Sequence, residues 1–314
     1  MDYFKVSGSW KEVATPFIKV AGQWKASLTE YVKVNGVWVA SDKITIPKLL
    51  EMIVVSPDEP KWKQTGTGVS TIMYNEVSTG NWKVTLYGDK KQSFIPVLNN
   101  ATDIHSIVTA SGDFSMHDLF RGLSKLTTID LSGLDVTKTV STSFMLNGSS
   151  SLTNITGMTG WQLNECATTM GMFAGCNVSS IDVSGWNIPK CTDVSHMFRM
   201  ANNTNIDLST WTNTDIVVNY SNMFKDSAKL TKINLDGLSF KHKPTHLNSM
   251  FSNLATLTCI SKIDTTSLTG SNAEIIGIVV DMFKDTPKLV HPTDAEQTLI
   301  KAGGYKYEKG SPCT

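Results

Sequence analysis

The feature of this chain that most constrains its fold is an internal repeat with a period of 24–32 residues. A pair of large apolar residues, usually Met-Phe, marks each unit: Leu119-Phe120, Phe144-Met145, Met172-Phe173, Met197-Phe198, Met223-Phe224, Met250-Phe251 and Met282-Phe283. The spacings between successive Phe residues are 24, 29, 25, 26, 27 and 32. A unit this short cannot bury its own apolar face, so successive units are expected to stack on one another.

A second element follows most of these pairs and alternates apolar with polar residues. It predicts half-buried strands around Ile129, Ile155, Ile181, Ile206 and Ile233. The stretch that ends in Met-Phe predicts a short helix, because Val194, Met197 and Phe198 have i, i+3, i+4 spacing. Thr192 or Asp193 then offers an N-cap. One strand and one short helix per unit indicate a solenoid of the leucine-rich-repeat type.

The N-terminal segment carries a different repeat, of fourteen residues. Its three copies, at 4–10, 18–24 and 32–38, share an apolar residue, Lys, Val, Gly and Trp at equal offsets. Each copy places a turn pair between strand-forming arms: Ser7-Gly8, Ala21-Gly22 or Asn35-Gly36. Hairpins are predicted, with Lys5 opposite Trp10, Lys19 opposite Trp24, and Lys33 opposite Trp38. They form either a self-contained β-meander or a module that docks on another protein, and the sequence leaves both open.

Both repeats resemble known families. The Lys-Val-x-Gly-x-Trp units in 4–39 are similar to a short repeat of phage tail and tail-fibre proteins. The core Ile-Asp-Leu-Ser, followed by an Asp-Val-Ser-x-Met-Phe element, resembles the bacterial and phage leucine-rich repeats of BspA-like surface proteins, over roughly 115–290. One unit departs from this motif, because the segment after Ile155 lacks the Asp. The second resemblance implies a leucine-rich-repeat fold and a role in binding.

Composition excludes several classes of protein. The 28 basic and 28 acidic residues cancel, and no Lys/Arg run exceeds two, so nucleic-acid binding is not expected. The apolar stretches Leu49–Val55 and Ile275–Val280 are too short to span a bilayer, so no membrane insertion is expected. Residues 1–5 lack the features of a signal peptide, which predicts synthesis in a cytoplasm.

The cysteines are predicted to be buried free thiols, because they are odd in number and lack a C-x-x-C motif: Cys166, Cys176, Cys191, Cys259 and Cys313. Cys166 and Cys191 each lie seven residues before a Phe, so they are expected at stacked, equivalent positions, where a disulfide is not required.

The sequence contains no catalytic or phosphate-binding motif, and neither an enzyme nor a cofactor is expected. His242 and His246 have helical spacing, but Pro244 between them argues against a metal site. Two sets of residues are receptor-binding candidates: Asp130, Asp182 and Asp207, and Trp186 and Trp211. The aspartates either form a ligand or Ca²⁺ ladder or bond their own turns. The tryptophans either belong to the core or form a platform on which sugars stack.

These observations predict a β-rich α/β repeat protein, a leucine-rich-repeat-type solenoid preceded by a small all-β tandem-hairpin module. The expected divisions are 1–42 for the hairpins, 43–80 for a linker and the start of a cap, 81–290 for the solenoid and 291–314 for a C-terminal cap. Trp82–Tyr87 is expected to form an N-terminal capping strand.

The resemblances imply a phage virion protein, assembled in the host cytoplasm, that serves as a tail-fibre or receptor-binding component. Its expected partners are other virion proteins of the baseplate, tail or capsid, and a host receptor that is a glycan or a protein. Homo-oligomerisation stays open. The alternatives are a decoration or connector protein of a capsid or baseplate, and a bacterial BspA-like surface adhesin.

Overall fold

The computed structural model describes residues 2–6, 9–13, 17–20, 23–26, 31–34, 37–40, 48–57, 61–63, 71–87, 95–97, 100–109, 115–239, 244–261 and 278–289. Within these residues the fold is β-rich, its sheets are open, and only Ile278 and Val279 are helical. No helix among them is long and apolar enough to cross a lipid bilayer.

The N-terminal repeat forms three antiparallel strand pairs. They are β1 (Asp2–Val6) with β2 (Ser9–Val13), β3 (Phe17–Val20) with β4 (Gln23–Ala26), and β5 (Tyr31–Val34) with β6 (Val37–Ala40). The register places Lys5 opposite Trp10, Lys19 opposite Trp24, and Lys33 opposite Trp38, as the sequence predicts. The turn pairs between these strands lie outside the described residues.

A six-stranded sheet leads from the chain's first half into the longer repeat. Its order is β14-β13-β12-β7-β10-β9, with β7 (Lys48–Val55), β9 (Thr71–Ser78), β10 (Asn81–Tyr87), β12 (Asp103–Thr109), β13 (Thr128–Asp130) and β14 (Asn154–Thr156). A separate pair joins β8 (Lys61–Lys63) to β11 (Ile95–Val97). Alternate residues Leu50, Met52 and Val54 are fully buried, as expected of a strand with one core face.

A strand forms around Trp82 as predicted; it is β10, which pairs antiparallel with β7 and β9 and is separated from the repeat strand β13 by β7 and β12. The Trp82 indole N–H donates to the Ser56 carbonyl at 3.1 Å, which fixes the end of β7. β12 then pairs antiparallel with β7 and parallel with β13. The antiparallel strands therefore continue directly into the first repeat units, including strands from the segment expected to be a linker.

The described residues between 115 and 289 form a stack of repeat units, which we call the repeat stack, and each unit is one coil. Parallel strands join neighbouring coils: β13 with β14, and β15 (Asn205–Asp207) with β16 (Lys232–Asn234) and β17 (Cys259–Ile260). Parallel bridges continue this alignment at a second position, Ser141–Thr168–Asp193–Asn219–His246. The strands predicted around Ile129, Ile155, Ile206 and Ile233 are confirmed, whereas the structure has no strand around Ile181.

The short helix predicted at the Met-Phe pairs is wrong, apart from the helical residues Ile278 and Val279 before Met282-Phe283. Val194, His196 and Phe198 donate their N–H groups to the carbonyls of Asn219, Ser221 and Met223 in the next coil, at 2.9–3.0 Å. A helix would bond these groups within the segment. The chain instead makes consecutive turns, which point Val194, Met197 and Phe198 inward at the same i, i+3, i+4 spacing.

A column of buried aromatic rings runs along the inside of these turns. Neighbouring rings stack in the series Phe173, Phe198, Phe224, Phe251 and Phe283, with centroids 5.2–5.7 Å apart. The same backbone ladder places Leu146 beside Phe173, because Leu146 N–H bonds the Met172 carbonyl. The predicted anchor Phe144-Met145 is therefore out of register by one residue, and Met145-Leu146 takes its place in the core.

A second column contains three stacked indoles, Trp161, Trp186 and Trp211, with centroids 5.3 and 5.4 Å apart. Trp186 and Trp211 donate their ring N–H groups to the Met158 and Val183 carbonyls of the preceding coil, both at 2.8 Å. Each polar atom of these buried rings is thus satisfied while its apolar surface tightens the contact between coils.

Cys166, Cys176 and Cys191 are buried free thiols, as predicted. Cys166 and Cys191 occupy equivalent positions, because Thr192 N–H bonds the Ala167 carbonyl. Burial raises the pKa of Cys176 and of Cys191 to about 12, so both stay protonated at neutral pH. The prediction is wrong for Cys259, which is disulfide-bonded. Cys313 lies outside the described residues.

One polar residue interrupts an otherwise apolar column next to the short strands. Leu126, Leu152, Val178, Asn203, Leu230 and Leu257 occupy equivalent positions, each just before a residue that joins the inter-coil ladder. Asn203 is 0 % exposed, and neither its amide oxygen nor its amide nitrogen has a hydrogen-bond partner. The coil therefore carries an unsatisfied amide where its neighbours carry an aliphatic side chain.

Candidate functional site

The consecutive turns give the repeat stack an outer surface, which we call the turn face. Two columns of left-handed residues shape it, one two residues before the buried ring position and one two residues after it. The first column is Asp118, Phe144, Gly171, His196, Asn222, Ser249 and Asp281, with φ between 53° and 62°. The second is Gly122, Gly148, Gly175, Met200, Asp226, Asn253 and Asp285, with φ between 56° and 73°.

Left-handed backbone is costly for most residues, and Gly, Asn and Asp adopt it most readily. Ten of these fourteen positions hold one of those three residues. The inter-coil ladder holds the other four in place, as when Met200 N–H bonds the Lys225 carbonyl at 2.9 Å. The side chains of the turn face consequently project from a backbone that neighbouring coils fix on both sides.

A polar groove of about 370 Å³ lies on the turn face, over the last four coils. Its lining comes from the residues before and after the stacked Phe rings: Arg199, Lys225, Asp226, Ser249, Ser252, Asn253, Asp281, Lys284 and Asp285. The lining carries three cationic and three carboxylate side chains and no aromatic ring. The groove thus suits a hydrophilic ligand that offers both hydrogen-bond donors and acceptors.

Asp226 is the best-anchored side chain of the groove. Its Oδ2 lies 3.4 Å from the Arg199 Nε, and its Oδ1 accepts a hydrogen bond from the Asn253 amide at 2.9 Å. These three residues come from three successive coils, so side-chain contacts cross the groove floor. At the far end the Lys284 ammonium lies 3.8 Å from an Asp281 carboxylate oxygen.

Lys225 differs from the other two cations of the groove. It lies between Arg199 and Lys284 along the stack, at the same position directly after a Phe. It is half-buried, and no side chain among the described residues forms an ion pair or hydrogen bond with its ammonium group. An ammonium without a counter-ion attracts an anionic ligand group.

His196 lies in the first left-handed column, one turn from the groove. Burial, followed by the nearby positive charge of Arg199, lowers the pKa of His196 below its ordinary value. Its Nε2 lies 3.5 Å from the Asn222 side-chain nitrogen, within the same column. The imidazole is therefore neutral at pH 7 and adds no third charge beside Arg199 and Lys225.

The first coils of the turn face carry an aromatic cluster. The Phe144 ring has the Arg121 guanidinium 5.1 Å from its centroid and the His117 ring edge-on at 5.9 Å. Asp118, which is buried, contacts both side chains, with oxygens 3.1 Å from Arg121 Nη1 and 3.0 Å from His117 Nε2. Phe144 is thus a partly exposed ring in a left-handed conformation, supported on two sides.

The aspartates singled out in the sequence lie on the other, strand-bearing surface of the stack. Asp130, Asp182 and Asp207 each accept a hydrogen bond from the backbone N–H two residues later, at 2.9–3.0 Å. The Ser132 N–H chiefly lowers the pKa of Asp130, and the Ser184 hydroxyl chiefly lowers that of Asp182. Their geometry is that of residues that bond their own turns.

No group of three or more potential metal ligands is found among the described His, Cys, Asp and Glu residues. Trp186 is 0 % exposed and Trp211 is 4 % exposed, and each packs against a neighbouring indole. Neither ring has a free face on which a sugar ring can stack.

Sequence reasoning missed the groove because its residues share no single chemical type. A signal was present, however, in the residue that directly follows the apolar pair. This residue is basic in four coils, Arg121, Arg199, Lys225 and Lys284, and three of these four line the groove.

Comparison with known proteins yields a family for the repeat stack. The sequence matches the family described as "Mycoplasma protein of unknown function, DUF285" three times, at residues 69–185, 114–237 and 167–284. Together these overlapping matches cover more than half of the chain. No curated protein and no solved structure matches the chain. The overlap reflects the coil periodicity, since a register shift of two coils still aligns strand with strand and turn with turn. The chain therefore belongs to the DUF285 family.

Proposed function

We propose that this protein is a phage virion protein, a tail-fibre or related receptor-binding component. The N-terminal hairpins attach it to other virion proteins of the baseplate, tail or capsid, through the residues Lys5, Trp10, Lys19, Trp24, Lys33 and Trp38. The repeat stack is a leucine-rich-repeat-type solenoid of the BspA-like kind, and its turn face binds a receptor on the host cell. The protein acts by binding and not by catalysis.

The polar groove is the observation that carries this proposal. It offers both signs of charge, hydroxyls and an amide on a backbone held by ladder bonds such as Asn253 N–H to the Lys284 carbonyl at 2.7 Å. Such preorganisation lowers the entropic cost of binding.

Two further observations support the proposal. The sequence of the N-terminal hairpins resembles repeats of phage tail proteins, and these repeats pair in the register predicted for two-residue hairpins. The fold repeats one unit along an axis, an arrangement that other proteins use to present extended binding surfaces.

The test uses the fluorescently labelled full-length protein and a panel of intact bacteria. A groove variant, Lys225→Glu with Lys284→Glu, is compared with a control of equal charge change, Lys229→Glu with Lys288→Glu. Both control lysines are exposed and lie outside the groove lining. We expect a cell type that binds the wild type and the control but loses binding to the groove variant.

Attachment of the hairpins to other virion proteins is tested with a separate variant, Trp10→Ser with Trp24→Ser and Trp38→Ser. We expect it to bind cells like the wild type and to be missing from purified particles. Cell binding by the groove variant at wild-type strength would contradict the receptor role of the groove. If no form of the protein binds cells, and the hairpins are still needed for incorporation into particles, the result would favour the connector or decoration alternative.

A further inference from the structure

We infer that the polar groove recognises a carboxylate-bearing sugar, an acidic unit within an otherwise neutral oligosaccharide, and that Lys225 binds its carboxylate. This inference rests on the receptor-binding role proposed above and names the chemistry of the ligand. The three cations in the groove differ in whether they have a carboxylate partner.

Arg199 and Lys284 already have carboxylate partners, at 3.4 and 3.8 Å, whereas Lys225 has no side-chain partner among the described residues. Lys225 is also half-buried, whereas Lys284 is exposed. The groove is therefore built to take up one negative charge at its centre. A carboxylate satisfies an ammonium by a charge-assisted hydrogen bond.

The rest of the lining limits the charge of the ligand. Asp226, Asp281 and Asp285 bring three carboxylates to a groove of about 370 Å³. A polymer with a phosphate or sulfate on every unit would place further anions against them and be repelled. Hydroxyl-rich neutral units, by contrast, donate hydrogen bonds to these carboxylates and accept them from Ser249 and Ser252.

The size and surface of the groove agree with a sugar. Its volume lies at the small end of the range of about 300–1,000 Å³ found for small-molecule sites. Single-stranded nucleic acids bind through aromatic stacking platforms in basic grooves, and this lining has no aromatic ring and as many acids as bases. An acidic monosaccharide and part of its neutral neighbour fit these limits.

The experiment measures binding of defined oligosaccharides to the full-length protein by isothermal titration calorimetry. The probes are 3′-sialyllactose and a non-sulfated glucuronate disaccharide, each compared with its methyl ester, together with a heparin tetrasaccharide. The variants are Lys225→Met, which keeps most of the aliphatic stem, and Lys229→Met as an exposed control. Matching thermal melts of both variants and the wild type show that folding is intact.

We expect at least one acidic probe to bind, with its ester weaker by about tenfold or more, the loss of one charge-assisted bond. We expect Lys225→Met to lose a similar factor and Lys229→Met to lose nothing. Equal binding of acid and ester, tighter binding of heparin, or full binding by Lys225→Met would each overturn the inference.

The outcomes also separate this inference from the proposed function. If no probe binds while cells are still bound in a groove-dependent manner, the acidic-sugar inference fails and the receptor role stands. If the protein binds an acidic probe in a Lys225-dependent manner but binds no cell type, the groove chemistry stands and the receptor role fails.

Discussion

Replacing Asn203 with leucine is expected to stabilise the repeat stack. Asn203 is fully buried with both amide atoms unpaired, in a column where five neighbouring coils carry Leu or Val. A buried amide without partners costs about 1–3 kcal/mol. Full burial of a leucine side chain adds about 1.5–3 kcal/mol, and imperfect fit removes up to about 1.5 kcal/mol. The net expectation is a gain of roughly 1–6 kcal/mol in the free energy of unfolding.

Urea unfolding followed by tryptophan fluorescence measures this gain, because Trp186 and Trp211 are buried in coils next to Asn203. Native-state hydrogen exchange adds a local readout, since long repeat arrays do not always unfold in one step. The matched control is Asn202→Leu. Asn202 is half-buried, and its amide donates to the Asn177 Oδ1 at 2.6 Å, so the control is expected to gain nothing. An unchanged midpoint for Asn203→Leu, or an equal gain for the control, would refute the argument.

Three further predictions concern backbone shape and pH. Gly157→Ala is expected to destabilise the protein by several times the loss caused by Gly160→Ala in the same urea assay. Both positions have positive φ, which costs an L-residue about 1–2 kcal/mol, but only at Gly157 would the added Cβ meet backbone, 2.1 Å from the Ser132 N. Because the folded pKa of His196 is lowered, the wild type loses stability as pH falls below about 6.5. His196→Asn, which tolerates positive φ, is expected to flatten that part of a thermal-melt pH profile; an unchanged profile would disprove the assignment. Because the folded pKa of Asp182 is lowered, its charge stabilises the protein above about pH 3.8 and that stabilisation is lost at lower pH. Asp182→Asn is accordingly expected to lower stability at pH 7 and to lose less on acidification; equal acid sensitivity would count against it.

Four of the five strands predicted in the repeat stack form where Ile alternates with polar neighbours, whereas the same alternation around Ile181 forms no strand. The turns were not predictable, since Val194, Met197 and Phe198 point inward both in a helix and in consecutive turns. The two differ only in where the N–H groups find acceptors, and here these acceptors belong to the next coil. Phe144 was misplaced for a related reason, as an apolar residue on the outer face looks like one in the core.

The candidate site was less predictable than the fold. The tryptophans and aspartates stand out in the sequence because they repeat, yet the tryptophans stack between coils in the core and the aspartates bond their own turns. The groove depends on differences between coils, above all on Lys225 lacking the partner that Arg199 and Lys284 have. Such a difference appears only when side chains from successive coils are seen side by side.

The two left-handed columns give every coil the same outer backbone, so the side chains on that backbone can differ from coil to coil. The buried rings and ladder bonds form a frame, while positions such as Gly171, His196 and Asn222 accept unlike side chains on one backbone. An inserted coil lengthens the stack by roughly 4.8 Å, one strand spacing, and moves the turn-face side chains along its axis without repacking the interior. The chemistry of the turn face can thus change one side chain at a time, or move by whole coils, while the interior that supports it stays the same.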